Sequence, residues 1–443
     1  MNTLEQLRAG ALAGSRRLSL SCGLRAFPAE IFELADTLEI LDLSGNALAS
    51  LPDDLARLHR LRIVFCSNNQ FTELPEVLGQ CPQLSMVGFR ANRIRNVPAA
   101  ALPPSLRWLV LTDNRLTGLP AEIGRCTELQ KLMLAGNQLQ ALPPEMAACT
   151  RLELLRIAAN RFASLPDWLL GMPRLAWLAC AGNPLSEASE AAAQAAMTMT
   201  RIAWNSLQMQ HQLGEGASGV IHQATWQRGE TPQPVAVKLF KGALTSDGLP
   251  QHEMAACISA GAHPNLIAVH GQIADHPAGA SGLVMALIDT GFRNLAAPPS
   301  LASCTRDIYP AGTPFTLGAV IRLALGIASA ARQLHERGIL HGDLYGHNIL
   351  RSDDGQALLG DFGAASFFAP DDGPLAQALQ RIEVRAFSCL LEELLARCSA
   401  PAGSQGTLEI LTGLQTRCAQ ENTAARPLFA EVQQLLAALQ TPL

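Results

Sequence analysis

The sequence predicts a two-domain chain, in which a solenoid of stacked α/β repeats precedes a second domain of different architecture. Three observations support this prediction. Asparagines recur at steps of 22 or 23 residues through the first half, the repeat stops after Leu185, and a glycine-rich segment with new motifs follows from Leu213. The length of 443 residues agrees, because a domain usually holds about 100–200 residues.

The composition is that of a folded chain with an acidic balance. Hydrophobic residues make up 48% and charged residues 16%, which excludes an intrinsically disordered protein. The net charge of -5 and the pI of about 6.1 argue against nucleic-acid binding. Eleven scattered cysteines without metal-ligand spacing fit reduced thiols and predict a cytoplasmic location. We expect no secretion signal in MNTLEQLRAG and no membrane span, since no apolar run reaches about 18–20 residues.

The first predicted domain covers residues 1–185, and its unit reads L-x-x-L-x-L-x-x-N-x-L-x-x-L-P. Its asparagines are Asn46, Asn69, Asn92, Asn114, Asn137, Asn160 and Asn183, and its prolines are Pro52, Pro75, Pro98, Pro120, Pro143 and Pro166. A fixed period with this pattern is the leucine-rich-repeat signature. Each unit should form a short strand and a helical turn, with the asparagine side chain bonded to backbone groups where the chain turns. One unit cannot bury its leucines alone, so neighbouring units must stack.

The concave face of such a solenoid should display two residues from each strand. The first column is Ile40, Ile63, Met86, Trp108, Lys131, Leu154 and Trp177, and the second is Asp42, Phe65, Gly88, Val110, Met133, Arg156 and Ala179. These columns are unusually apolar, which predicts a covered or partner-binding surface. The cover would be another protein or the second domain of this chain. The alternative explanations are an error of one residue in the register and a generally apolar, alanine-rich composition.

Residues 186–204 form the predicted junction between the domains. The stretch SEASEAAAQAAMTMT has lost the repeat and is rich in alanine, a strong helix former. It predicts either a helix that caps the repeats or a helical linker. A packed helix is favoured, because so few charges would solvate a free linker poorly.

The second half begins with a glycine pattern that has two possible meanings. In LGEGASGVIHQA the glycines Gly214, Gly216 and Gly219 precede Ile221, and VAVK ends at Lys238. The same glycines would suit a dinucleotide site if a helix followed them directly. Here a strand-like stretch, a polar turn and a second strand follow, which favours a glycine-rich hairpin over a nucleotide's phosphates.

Two further motifs follow in order: HGDLYGHNIL, which contains Asp343 and Asn348, and DFG, which begins at Asp361. With these four motifs the chain resembles the protein kinase superfamily over residues 205–443. The resemblance implies a bilobal α+β fold, with ATP and Mg²⁺ as cofactors and a protein as substrate.

The resemblance also implies a role for each motif residue. Lys238 would bind the α and β phosphates and pair with Glu253, Asp343 would orient the acceptor hydroxyl and take its proton, and Asn348 and Asp361 would hold magnesium. The residues implied to contact the nucleotide are Leu213, Gly214, Gly216, Gly219, Ile221, Ala236, Lys238, Met285, Leu287 and Leu350.

The scarcity of lysine supports a functional role for Lys238. Among 33 basic side chains, the only lysines are Lys131, Lys238 and Lys241. An arginine fork is a poor replacement for a compact charge that must fit beside phosphates and a glutamate.

Several positions depart from the kinase pattern. Gly342 stands where many kinases have arginine, and the segment from Asp361 to about Gln380 contains Ser366 as its only hydroxyl. We therefore expect activity without phosphorylation of this segment. Tyr345 replaces the lysine of serine/threonine kinases, and His347 stands where tyrosine kinases have arginine. A neutral imidazole would stabilise charge less well than that arginine and would slow turnover.

Further departures lie after DFG. Glu383 stands where a helix normally begins with aspartate, and the A-P-E motif is missing, which leaves the partner of Arg426 open.

Three functions remain compatible with the sequence. The favoured one is an active protein kinase directed to serine or threonine, whose repeats bind a partner protein or restrain the kinase. The second is a nucleotide-binding pseudokinase with an interaction scaffold. The third is a small-molecule phosphotransferase, which the glycine loop and DFG disfavour.

Overall fold

The computed structural model describes residues 2–196, 199–216, 218–229, 231–242, 244–245, 247–370 and 373–440. The chain divides into two compact units, Met1–Leu175 and Ala176–Leu443. The division falls inside the last repeat, so that Trp177 belongs to the second unit. The domain limits at residues 185 and 204 remain predictions.

The first unit is a parallel solenoid with one short strand per repeat. Its strands are β1 Arg17–Ser19, β2 Ile40–Asp42, β3 Ile63–Phe65, β4 Met86–Gly88, β5 Trp108–Val110, β6 Lys131–Met133 and β7 Leu154–Arg156. Its α-helices are α1 Leu4–Arg8 and α2 Asp167–Leu170, and its 3₁₀ helices are Ala29–Leu34, Leu55–Arg57, Glu76–Gln80, Ala99–Ala101, Ala121–Arg125 and Pro144–Ala148. Most of these turns begin directly after a repeat proline, such as Pro120 or Pro143, whose fixed φ and missing N–H suit a helix start. The predicted repeat fold is confirmed.

The repeat asparagines connect successive turns of the solenoid. The Nδ2 of Asn137 donates to Leu111 O and to Leu134 O, both at 2.9 Å, and its Oδ1 accepts from Leu116 N at 3.0 Å. Asn69 and Asn160 make the corresponding bonds. Each asparagine therefore satisfies buried backbone groups that neighbouring strands leave open at the turn, as the sequence predicted.

The strand pairing fixes the predicted concave columns. Ile40 is paired with Ile63, and the register continues through Met86, Trp108 and Lys131 to Leu154. The middle residue of each strand, such as Leu109 or Leu132, is fully buried. The register is therefore as predicted. Within the first column, the Lys131 ammonium lies 4.4 Å from the centroid of the Trp108 ring.

The second unit combines a mixed sheet with a largely helical part. Its helices are α3 Glu187–Ala196, α4 Pro250–Ser259, α5 Leu317–Glu336, α6 Gly373–Leu395, α7 Gln405–Cys418 and α8 Phe429–Ala438, with 3₁₀ helices at Trp204–Ser206, Gly346–Asn348 and Thr423–Ala425. Its strands are β8 Trp177–Ala179, β9 Arg201–Ala203, β10 Leu207–Glu215, β11 Gly219–Arg228, β12 Thr231–Phe240, β13 Val269–Ala274, β14 Gly282–Ala286, β15 Arg293–Asn294, β16 Phe315–Thr316, β17 Ile339–Leu340, β18 Ile349–Arg351, β19 Ala357–Leu359, β20 Ser366–Phe367 and β21 Cys398–Ser399.

Six strands form the main sheet, in the order β10-β11-β12-β14-β13-β9. Alternate residues of β11 and β12, including Ala224, Val235 and Val237, bury one face of this sheet. The alternation of Val235, Ala236, Val237 and Lys238 places Lys238 on the opposite face from that core. The predicted bilobal α+β fold is confirmed.

Helix α5 is the central helix of the helical part. Its first turn is capped by Thr316, whose Oγ1 accepts from Ala319 N at 3.2 Å. By length and composition α5 could cross a membrane, in contrast to the expectation that no apolar run is long enough. Because 67% of its most apolar stretch is buried inside the protein, α5 is weak evidence for a span.

Helix α3 is packed against α4. Glu190 of α3 accepts from Gly182 N and from Ser186 Oγ, both at 2.8 Å. Its other oxygen lies 3.4 Å from Nε2 of the buried His252 in α4. The junction therefore contains a packed helix, the form that the sequence favoured over a free linker.

We expect thiol labelling to separate the buried cysteines from the exposed one. Burial raises the pKa of Cys81 and of Cys149 to about 11, so little reactive thiolate forms at pH 8. Cys22 is exposed. In iodoacetamide labelling followed by peptide mass analysis, the Cys22 peptide should be modified at least about 100-fold faster than either buried site. Cys22→Ser should remove the fast phase, and equal rates at all three sites would contradict the buried placement.

Candidate active site

A lysine and a glutamate form an ion pair under the main sheet. Lys238 lies near the end of β12 and Glu253 in α4, and Lys238 Nζ donates to Glu253 Oε1. Their side chains are only 11% and 2% exposed. Burial alone would lower the pKa of Lys238, but the charges of Glu253 and Asp361 outweigh it and raise this pKa. The lysine is therefore held as a cation in a desolvated cleft.

Asp361 lies next to this pair and has an unusual backbone conformation. Its φ of 55° is in the left-handed region, which costs a non-glycine residue about 1–3 kcal/mol. Its Oδ1 accepts from Gly363 N at 3.1 Å. Strain of this kind persists where the surroundings fix it and clusters at functional sites.

The loop between β17 and β18 presents the second carboxylate. Asn348 Nδ2 donates to Asp343 Oδ2 at 2.8 Å and to Asp343 O at 2.9 Å, which fixes the side chain of Asp343. The buried His341 joins this loop to the DFG segment, because its Nε2 lies 3.0 Å from Gly360 O. The structure thus brings Asp343, Asn348 and Asp361 into one connected network.

Asn348 and Asp361 are suitable for a magnesium ion. The backbone N–H of Gly360 donates to Asn348 O at 2.9 Å, which keeps the two residues adjacent. The amide of Asn348 uses its nitrogen toward Asp343, so its oxygen is the atom available to a metal. One carboxylate and one amide oxygen form the hard, sparse ligand set with which proteins bind Mg²⁺ together with phosphates. The residues present therefore fit the ion.

A cleft between the main sheet and α4 contains part of the predicted nucleotide site. Five of the predicted residues line it: Gly216, Gly219, Ile221, Lys238 and Met285. The other five lie on strands or just after them. Ala236 is buried and paired with Met285, Gly214 is paired with Ile221, Leu213 is an exposed residue of β10, Leu350 lies in β18 and Leu287 follows β14.

The cleft also contains residues that the motifs did not indicate. Ser218, Cys257, Leu266 and Val269 line the same space. Burial raises the pKa of the Cys257 thiol, which makes it an apolar wall residue. The apolar side chains of Leu266 and Val269, with the Cys257 thiol, are what a purine would contact, but no spacing rule marks these residues in the sequence.

Glu383 has a partner on each side. Its Oε1 accepts from Gly342 N at 2.8 Å, and its Oε2 lies 2.7 Å from His335 Nε2. Burial by itself would raise the pKa of Glu383, but the hydrogen bond and charge of His335 lower it. Glu383 of α6 therefore supports the catalytic loop from inside the domain.

His347 has a carboxylate partner that the sequence-based expectation of a neutral ring did not include. The ring Nδ1 of His347 lies 2.7 Å from Asp307 Oδ1, and the backbone N–H of His347 donates to Asp307 Oδ2 at 3.0 Å. Burial lowers the pKa of His347, but the hydrogen bond and charge of Asp307, with the charge of Asp343, raise it overall. Asp307 therefore makes His347 easier to protonate than an ordinary histidine.

Arg426 finds its partners in the backbone. Its Nη1 donates to Arg381 O at 3.1 Å, its Nε donates to Gln420 O at 2.9 Å, and Arg381 Nε donates to Arg426 O. Burial, with the charge of Arg385, lowers the pKa of Arg426 to about 10. Carbonyl oxygens of α6 and of the loop after α7 thus accept hydrogen bonds from Arg426.

We expect that Ser366 is structural and is not a phosphorylation switch. It is 2% exposed, and its Oγ accepts from Cys180 N at 2.9 Å. Ser366→Ala removes one hydrogen bond, worth about 1 kcal/mol, and should change kcat less than about threefold. Ser366→Asp should lower activity, because it places a charge in this buried position. Activation by the aspartate variant in a kinase assay would contradict this assignment.

Known sequence families match both halves of the chain. The signature described as "Protein tyrosine and serine/threonine kinase" matches residues 207–389, and leucine-rich-repeat signatures match residues 37–58 and 104–162.

Individual relatives match only parts of the chain. A leucine-rich repeat and calponin homology domain-containing protein 1 of Mus musculus is 32% identical over 27% of this chain and 17% of its own length. An activated Cdc42 kinase-like protein of Drosophila melanogaster is 22% identical over 52% and 20%, and the probable inactive serine/threonine-protein kinase roco10 of Dictyostelium discoideum is 34% identical over 25% and 4%.

The chain therefore spans no more than about a fifth of these relatives. Together with the stacked repeats and the Lys238–Glu253 site, the matches identify the chain as an N-terminal leucine-rich-repeat solenoid joined to a C-terminal protein-kinase domain.

Proposed function

We propose that the protein is an ATP- and Mg²⁺-dependent protein kinase that transfers the γ-phosphate to a serine or threonine hydroxyl. The observation that carries this proposal is the buried Lys238–Glu253 ion pair, which shares one cleft with Asp361. A buried ion pair adds little stability, so a lysine in this position, in a chain with only three lysines, points to use on a ligand.

The chain's residues can divide the chemistry between them. Lys238 places a positive charge where the phosphates would bind, and the glycines of the β10–β11 hairpin let the backbone approach them. Asp343, fixed by Asn348, would accept the proton of the acceptor hydroxyl as that oxygen attacks the γ-phosphorus and the bond to the β-phosphate oxygen breaks. Magnesium, when bound at Asn348 and Asp361, supplies charge neutralisation of the phosphates.

The cation beside the transferred phosphate is proposed to be His347. The lysine of serine/threonine kinases is replaced by Tyr345, while Asp307 favours the protonated form of His347. A protonated His347 would place a positive charge near Asp343, though on a different residue. An array of matched peptides carrying serine, threonine or tyrosine would test the proposed acceptor, and exclusive labelling of tyrosine would refute it.

An ADP-release assay with purified full-length protein tests the proposal. The wild type should release ADP in the presence of Mg-ATP and transfer label to a protein substrate, whereas Asp343→Asn should lose at least about 100-fold in rate. A protein that binds Mg-ATP but shows no Asp343-dependent ADP release would be the nucleotide-binding scaffold. Label on a small alcohol and never on protein would indicate a small-molecule phosphotransferase.

The repeats are proposed to bind a protein partner through the apolar concave columns. Phe65 and Trp108 make an edge contact there, with ring centroids 6.4 Å apart, and aromatic anchors of this kind are typical of binding surfaces. We also propose a cytoplasmic location, since all eleven cysteines lie in the described part of the chain and are free thiols.

A further inference from the structure

The last repeat strand of the chain contacts the catalytic loop directly. The Trp177 ring of β8 stacks on the Tyr345 ring, with centroids 4.1 Å apart and an interplanar angle of 6°. The Trp177 Nε1–H donates to Leu344 O at 3.1 Å. Both rings are almost fully buried, at 2% and 5% exposure. The two residues that Trp177 contacts, Leu344 and Tyr345, directly follow Asp343 in the chain.

The residue directly after this strand contacts the segment after DFG. Cys180 N donates to Ser366 Oγ at 2.9 Å, and Ser366 lies in β20, which pairs with β17 immediately before the catalytic loop. We call the set of Trp177, Leu178 and Cys180 against Gly342, Leu344, Tyr345 and Ser366 the terminal-repeat contact. It touches both segments that must be in place for phosphoryl transfer.

Gly342 shows that this contact is built into the catalytic loop. A Cβ added at Gly342 would lie 2.6 Å from Leu178 O and 2.5 Å from Ala364 O, and the residue has a φ of 74°. No arginine side chain fits there. The backbone of the last repeat occupies the space beside the residue that precedes Asp343, and Gly342 N is bonded to Glu383.

We propose that the terminal-repeat contact holds the catalytic loop and the post-DFG segment in their working conformation, so that neither needs a phosphate. Trp177 is then a positioning residue that acts on Asp343 through Leu344 and Tyr345. The proposal rests on the kinase function proposed above. It is carried by the stack, the Nε1–H bond and the packing at Gly342, which join β8 to the catalytic loop. The Cys180–Ser366 bond contributes less, in agreement with the small effect expected of Ser366→Ala.

The physical basis is restriction of the backbone on both sides of Asp343. The Leu344 carbonyl is fixed by the indole N–H, and Tyr345 is fixed by a large aromatic surface. A catalytic carboxylate must stay within a few tenths of an ångström of its productive place. Releasing the two residues after it should therefore reduce turnover more than nucleotide binding, because the cleft residues lie elsewhere.

The test uses three full-length variants and two readouts. Trp177→Ala removes the stack and the N–H bond, Trp177→Phe keeps an aromatic stack, and Trp168→Ala is the matched control in α2 of the preceding repeat. Hydrogen exchange by mass spectrometry reports on the mobility of residues 341–348 and 364–368, whether or not the protein is catalytically active. Steady-state kinetics separates kcat from the KM for Mg-ATP.

We expect Trp177→Ala to raise exchange in those two segments at least tenfold, with strands β11 and β12 unchanged. Its kcat should fall about 10- to 100-fold with the KM for Mg-ATP within about twofold, as for loss of a positioning contact. Trp177→Phe should restore most of the protection from exchange and most of the kcat, and Trp168→Ala should match the wild type in both quantities.

Unchanged exchange in Trp177→Ala overturns the proposal, as does raised exchange with wild-type kcat. A rise in exchange over the whole second unit, not recovered by Trp177→Phe, would show a merely structural role and also overturns it. If the wild type releases no Asp343-dependent ADP, the kinase function fails, while local exchange in Trp177→Ala still decides whether the contact holds the loop.

Discussion

Lys238→Arg should lower kcat/KM for Mg-ATP at least about 100-fold, although the charge is retained. Lys238 Nζ is bonded to Glu253 in a cleft where the lysine side chain is only 11% exposed. The planar guanidinium is larger than an ammonium and directs its donors in a fixed fork. It cannot contact Glu253 and the phosphates from the position of Nζ without displacing one of them.

The matched control is Lys241→Arg. Lys241 is paired with Glu215 at the surface, with 41% of its side chain exposed, so an arginine has room and kcat/KM should change less than about twofold. Nucleotide titration and thermal unfolding of both variants would separate lost binding from lost folding. Wild-type kinetics in Lys238→Arg would show that the lysine does not contact the phosphates.

Gly342→Ala should both destabilise the kinase domain and reduce its activity. The added methyl group would lie far inside contact distance of two backbone oxygens, at 2.5 and 2.6 Å, and the φ of 74° disfavours any side chain. Backbone oxygens cannot rotate away, so either the last repeat strand or the post-DFG segment must move. We expect a loss of about 1–3 kcal/mol in unfolding free energy and at least about tenfold in kcat.

Gly413→Ala provides a control of opposite sign. Gly413 lies inside α7 with open space around its Cβ position, and alanine there should stabilise the helix by about 0.5–1 kcal/mol. Chemical denaturation of both variants gives the two free energies. If Gly342→Ala had the unfolding free energy and the turnover of the wild type, the packing beside Gly342 would be looser than the structure shows.

The repeat and the charged centre could be predicted because their signals are local. Asparagine recurs with the period of the solenoid, and the Lys238, Asp343, Asn348 and Asp361 motifs each occupy a few consecutive residues. The register of the concave columns followed from the same period, since side chains alternate along a strand.

The long-range contacts could not be predicted from those signals. Trp177 and Leu344 are 167 residues apart, and the sequence placed Trp177 only in a column of apolar residues. The sequence shows Gly342 in the place of an arginine, but only the packing shows that Leu178 O and Ala364 O lie beside it. The raised pKa of His347 depends in part on Asp307, which lies 40 residues earlier and outside any motif.

Because of the terminal-repeat contact, the last repeat cannot be gained or lost in the way that the other repeats can. Interior repeats of a solenoid interact mainly with their neighbours, so such arrays change length by gaining or losing whole units. Removal of one unit between β2 and β6 would leave Trp177, Leu178 and Cys180 beside the same catalytic residues. The number of repeats, and with it the size of the surface offered to partners, is therefore free to change, whereas the repeat that contains Trp177 is tied to the catalytic loop and must be inherited with it.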